Sequence, residues 1–217
     1  MTEIFKILEF IGTVAFSVSG ALVAIGASLD LFGVVFVACI TSVGGGILRD
    51  VLLGINPPAV FSNLSVILLS ALTGVAVFIV AYVRRKSFNI LRQRIEHVNN
   101  FFDAIGLAAF TVLGSEVGYI NGHYDNVFII VLIGMTTGIG GGIFRDIITD
   151  TTPFVFKKHV YAMASLVGGL VYFILRELFG NTFPVSIISM LIVVVMRMLA
   201  AKFRWSLPKI KIENDAE

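Results

Sequence analysis

Apolar residues run along this chain in long blocks, and polar positions fall mostly in short breaks between them. A helix needs about 20 apolar residues to cross a bilayer. On that measure seven spans are predicted, at about 4–26, 32–53, 59–83, 100–121, 126–149, 159–179 and 183–203. The breaks carry turn or polar chemistry, at 28–30, 56–58 (Asn-Pro-Pro), 84–99, 121–126, 151–158 and 180–181. The fold class expected is an all-α polytopic membrane protein, a single membrane domain over 1–217. The first block lacks a basic leader and a small-residue cleavage site, so it is read as a retained span.

Within the second and fifth blocks one motif occurs twice. Gly44-Gly45-Gly46-Ile47-Leu48-Arg49-Asp50 and Gly140-Gly141-Gly142-Ile143-Phe144-Arg145-Asp146 agree at six of seven positions. A shift of 96 residues also superposes Thr41 on Thr137 and Pro57 on Pro153, and a shift of 94 superposes Gly12, Phe16 and Gly20 on Gly106, Phe110 and Gly114. The chain is therefore read as two three-helix units, about 4–83 and 100–179, joined by the basic loop 84–99. The seventh span and a tail, 204–217, follow. Three spans is an odd number, so the second unit enters the membrane inverted relative to the first.

Composition agrees: 57% of residues are hydrophobic, 14% are charged and the mean hydropathy is +0.96, which excludes an ordinary soluble domain. Eleven Lys and Arg lie in or beside the breaks and tail on one side of a seven-span arrangement (84–99, 157–158 and 202–211), against Lys6 and Arg176 on the other. That side is expected to be cytoplasmic, with the amino terminus outside, in a prokaryotic inner membrane. The basic loop is read as a topology signal that also attracts anionic lipid, not as a nucleic-acid surface. Cys39 is the lone cysteine, no His/Cys cluster or nucleotide-binding or hydrolase motif is present, and neither an enzyme nor a metal cofactor is expected.

The doubled motif carries the candidate chemistry. Each glycine lowers helix stability by roughly 1 kcal/mol against alanine, and a charge at mid-bilayer costs at least about 2.5–3.5 kcal/mol. Two readings of the glycines stand. They form a close-packing seam of small residues, or they break the helix and free carbonyls that, with the hydroxyls of Thr41 and Thr137, make a weak Na⁺ or K⁺ site. The contiguity of the glycines and the charges that follow favour the break. Arg49 and Asp50, and likewise Arg145 and Asp146, are neighbours and so point apart on a helix; each is expected to find a partner elsewhere. Depth pairs Arg49 with Glu116 and Arg145 with Asp103. These serve either as structural ion pairs or as fixed charges along a pathway. Phe16 is a candidate constriction and Ser17 a candidate lining residue, although serine in a membrane helix often bonds its own backbone.

Two inverted units with Gly-Gly-Gly-x-x-Arg-Asp in their second helices, plus a seventh helix, resemble the prokaryotic branch of the trimeric intracellular cation (TRIC) channels. The likeness covers roughly 4–203. The resemblance implies a homotrimer with one pore per protomer, helices 2 and 5 kinked at the glycines, and K⁺ and Na⁺ as permeant ions. The same broad family includes proteins described as glycine transporters, so a secondary transporter of glycine or another small amino acid is the alternative function.

Overall fold

The computed structural model describes residues 3–84, 92–157 and 160–205, the side chains of 92–94 and 157 excepted. The basic side chains expected at 85, 86, 92, 94, 157, 158, 209 and 211 lie outside the described residues. The seven expected spans are all helices: α1 (Glu3–Gly26), α2 (Leu31–Leu52), α3 (Leu64–Val83), α4 (Arg92–Gly118), α5 (Val127–Ile148), α6 (Val160–Phe179) and α7 (Phe183–Phe203). Each is long and apolar enough to cross a membrane.

Two boundaries differ from expectation for physical reasons. The third helix starts at Leu64, not near 59, because Asn56-Pro57-Pro58 is followed by a separate 3-10 turn, Ala59–Phe61, and Asn63 then caps the helix through Ser65 N–H. The fourth starts well before residue 100, since Arg, Gln and Glu are good helix formers that hydropathy ignores. Asp30 and Asn126, 96 residues apart, cap α2 and α5 by accepting from Gly33 N–H at 2.8 Å and Ile129 N–H at 3.1 Å. The inverted units thus share their start signals as well as their motif.

Helices α1, α2, α4 and α5 form the centre, with α1 against α4, α2 against α5, and each first helix against its own second. α3 covers α1 and α2; α6 covers α4 and α5. Burial falls from 83% in the most apolar stretch of α4 to 17% in that of α3, so α4 is the axis and α3 an exposed flank. The seventh helix packs on α4 and α6. For reference, the amino-terminal face holds the start of α1, and the carboxy-terminal face the end of α7.

Candidate functional site: a glycine crossing between two charged ends

The glycines do not break their helices. Both α2 and α5 are helical at every residue through the motif, so the break that was to free carbonyls for a cation is absent. The glycines mark where α2 and α5 cross. A Cβ on Gly45 would overlap the Thr137 carbonyl, and one on Gly141 would overlap the Thr41 carbonyl. Gly44 faces the Phe144 ring at 2.6 Å and Gly140 faces Leu48 at 2.8 Å, measured from the same notional carbon. The contacts are reciprocal because the two units are related by a pseudo-twofold axis through the crossing. The small-residue seam is therefore what the residues build.

Thr41 and Thr137 donate to Val37 and Ile133 carbonyls of their own helices, both at 2.6 Å, which turns each hydroxyl back on its own backbone. Phe16 and its mate Phe110 stack beside the same axis, with ring centroids 5.3 Å apart. Gly106 makes room for the Phe16 ring and Gly12 for that of Phe110. Ser17 is fully buried.

At the carboxy-terminal face the end of α5 meets four other helices. Arg145 is fully buried, and its Nη1 donates to Asp103 Oδ1 at 2.7 Å and to Ser19 Oγ at 2.6 Å. The pairing expected from depth is thus present. Arg197 of α7 approaches the other oxygen of Asp103 at 3.7 Å and lies 4.6 Å from the centroid of the Tyr161 ring. Tyr161 OH reaches Asp103 at 3.4 Å, and Ser19 in turn donates to Asn99 at 2.7 Å. Two arginines face Asp103 and Asp146, which leaves the buried cluster formally neutral, as low dielectric demands. Arg197 was not singled out in the sequence; its signal is a lone guanidinium in the apolar run of the seventh block.

Two expectations about partners are corrected. Arg49 and Arg145 do bind their sequence neighbours: Arg49 Nε to Asp50 Oδ1 and Arg145 Nε to Asp146 Oδ1, each at 2.8 Å. Adjacent Cβ atoms diverge on a helix, but the three-methylene arm of arginine folds back far enough to cancel the divergence. The second oxygen of each aspartate accepts a backbone N–H past the helix end, Ala59 for Asp50 and Phe154 for Asp146, both at 2.8 Å. Both motif copies therefore tie down the returning loop. Glu116, expected opposite Arg49, instead binds Arg176 at 2.7 Å, Tyr172 OH at 2.8 Å and Asn181 at 2.8 Å. Arg176 sits over the Tyr119 ring at 3.7 Å. That cluster joins α4, α6 and the turn before α7, away from the crossing.

Two cavities flank the crossing at opposite ends of α1 and α4. The amino-terminal one, about 250 Å³, is bordered by Lys6, Glu9, Ser42, Gly46, Arg49 and Asp50, with Phe110 and Leu113 beneath. The carboxy-terminal one, about 500 Å³, is bordered by Glu96, Asn99, Asn100, Asp146, Thr149 and Thr151. Of the glycines proposed from sequence only Gly46 borders either, and Thr41, Thr137, Phe16 and Ser17 border neither. Glu9, also missed in the sequence, lies on the shared lining with Arg49.

Comparison with known proteins follows this geometry closely. A family described as glycine transporter matches residues 6–82 and 100–177, one match per inverted unit. The UPF0126 membrane protein YvgT of Bacillus subtilis is 32% identical over 94% of this chain and 95% of its own. The UPF0126 inner membrane protein YadS of Escherichia coli K12 is 27% identical over 96% of this chain and 97% of its own. Among solved structures, a TRIC cation channel studied for conductance superposes with a TM-score of 0.80 at 34% identity, covering 96% of this chain and 98% of that one. A prokaryotic TRIC channel in 0.5 M KCl gives 0.84 at 33% identity, covering 95% and 100%. With both repeat units matched and the fold shared end to end, this chain is a multi-pass membrane protein that belongs to the glycine-transporter family and has the fold of the prokaryotic TRIC channels.

Proposed function

We propose that the protein is a channel for monovalent cations, K⁺ and Na⁺, with one pore in each protomer of a homotrimer. The observation that carries this reading is the end-to-end likeness to two TRIC cation channels at a third of positions identical. The two cavities add a path: they approach the α2–α5 crossing from opposite faces, and Phe16 and Phe110 stand between them. The conformation described is then a closed one, and opening requires α2 and α5 to part at the glycine seam. The amino-terminal face is read as extracellular and the basic face as cytoplasmic, in the inner membrane, where loop 84–99 meets anionic lipid head groups.

One observation favours a second reading. Arg49 and Glu9 present opposite charges to one small cavity, the pattern that fits an amino-acid zwitterion, and the family bears a glycine-transporter description. Purified protein in planar bilayers under asymmetric KCl separates the two. Discrete openings that reverse near the potassium potential support the channel. Silent bilayers together with glycine uptake into liposomes of the same preparation overturn it in favour of the carrier.

A further inference from the structure

The two ends of the molecule are built to one plan and stand in different states. Around the pseudo-twofold axis the match is close: Gly12 and Gly106, Gly20 and Gly114, Gly45 and Gly141 each make the mate's contacts on mate residues. Away from the axis it fails. The shift of 94 that pairs Phe16 with Phe110 also pairs Glu9 with Asp103 and Ser19 with Leu113. The shift of 96 that pairs Arg49 with Arg145 also pairs Gly46 with Gly142 and Ser65 with Tyr161.

At the carboxy-terminal end Arg145 Nη1 holds Asp103 and Ser19, and Tyr161 OH lies 3.0 Å from where a Cβ of Gly142 would be. At the amino-terminal end the same parts are apart. Among the described residues Arg49 binds Asp50 alone, through Nε and Nη2, and Glu9 makes no ion pair, although each feels the other's charge. Leu113, in place of Ser19, offers no hydroxyl, and Gly46 meets nothing nearer than Arg49 itself, at 3.7 Å. Exposure differs accordingly: the whole Arg145 residue is 0% exposed and Arg49 8%.

We propose that Glu9 is a gating residue. Its carboxylate takes the free edge of Arg49 as Asp103 takes that of Arg145. The pair then narrows the amino-terminal cavity and seals it from the crossing, as the carboxy-terminal cavity, which neither Arg145 nor Asp103 borders, is sealed at its inner end, so that two gates of one design stand in series. In this conformation the carboxy-terminal gate is shut and the amino-terminal gate is open. Lys6, the other cation bordering that cavity, pairs with Glu3 at 2.7 Å on the surface, whereas Arg49 is buried on the cavity wall that Glu9 shares.

Single-channel dwell times test this, resting on the channel reading. Glu9→Gln should shorten one closed-time component by about threefold, the weight of a modest charge pair, while Glu9→Asp keeps it. In an Arg49→Gln background Glu9→Gln should add nothing; because that background strips Asp50 of its partner, Arg49→Lys serves as a second, in which the effect persists. A change in unitary current with closed times untouched makes Glu9 a mere surface charge and overturns the proposal. A second measurement needs no conduction. In a Cys39→Ser background, Val60→Cys borders the same cavity, and an impermeant thiol reagent should label it about threefold faster once Glu9 is Gln. Equal rates overturn the proposal whether the protein proves a channel or a carrier.

Discussion

Three of the motif glycines, Gly45, Gly46 and Gly141, should respond to alanine in different ways, and the sign of each response follows from the crossing. Alanine in place of glycine stabilises a helix by about 1 kcal/mol. At Gly46 nothing opposes that gain, since the nearest atom to an added Cβ is Arg49 Nη2 at 3.7 Å. At Gly45 and Gly141 the added carbon would overlap a backbone carbonyl of the facing helix, which cannot rotate aside. Overpacking of a tight interior costs about 1–3 kcal/mol, and a rigid neighbour places these sites at the upper end. The net expectation is a loss of about 1–2 kcal/mol at Gly45 or Gly141 and a gain of up to about 1 kcal/mol at Gly46. For a chain of this size 1 kcal/mol moves Tm by about 2–4 °C. Gly45→Ala and Gly141→Ala should therefore melt about 2–8 °C lower, and Gly46→Ala up to about 4 °C higher, by scanning fluorimetry in detergent. If the glycines were hinges, loss of backbone freedom would act alike at all three. A Gly46→Ala variant as damaged as Gly45→Ala refutes the packing argument.

The charged clusters give further expectations. Asp103→Asn leaves Arg145 and Arg197 facing a neutral amide inside the bundle, and the melting experiment should register about 3–5 kcal/mol, the cost of breaking a buried pair. Adding Arg197→Met should recover part of that loss, because Arg145 keeps Asp146 and the one uncompensated charge goes. Glu116→Gln weakens four hydrogen bonds from Arg176, Tyr172 and Asn181 and should cost about 1–3 kcal/mol, yet leave unitary conductance unchanged because the cluster borders neither cavity. Phe16→Ala removes one ring of the pair on the axis and should raise open probability in bilayer recordings; unchanged gating would exclude Phe16 and Phe110 as the constriction.

Much of this architecture was legible in the chain because it rests on length and repetition. Seven apolar blocks give seven helices, and two identical glycine motifs on an odd count of spans give the inversion. The Arg145–Asp103 pair was legible too, since depth in the membrane leaves few partners for a charge. What sequence could not show was the distance between helices. Contiguous glycines read as freedom or as space depending on what faces them, and only the facing carbonyls of Thr41 and Thr137 decide for space. Glu116 was assigned by depth to the wrong arginine because Arg176 was counted as a surface charge, whereas its guanidinium reaches inward across the Tyr119 ring to Glu116. The Arg–Asp neighbours were separated by an argument about Cβ direction that ignores the length of the arginine arm.

The seventh helix explains why the two ends are unequal. It packs against α4 and α6 of the second unit and has no counterpart beside α1 and α3. Through Arg197 it brings to the carboxy-terminal face a second cation for Asp103, which Glu9 lacks at the other face. Tyr161 stands where the first unit has Ser65, and Ser19 where the second has Leu113, so the hydrogen-bonding groups that complete one cluster are missing from the other. A duplicated three-helix unit on its own would make two equivalent ends, and a molecule with equivalent ends has no preferred closed face. Sequence divergence at these few positions, together with one extra helix, gives the carboxy-terminal cluster more partners while leaving the crossing at the centre symmetric. On the gating proposal the seam is the part both ends act on, and the two ends differ in how many bonds they bring to it.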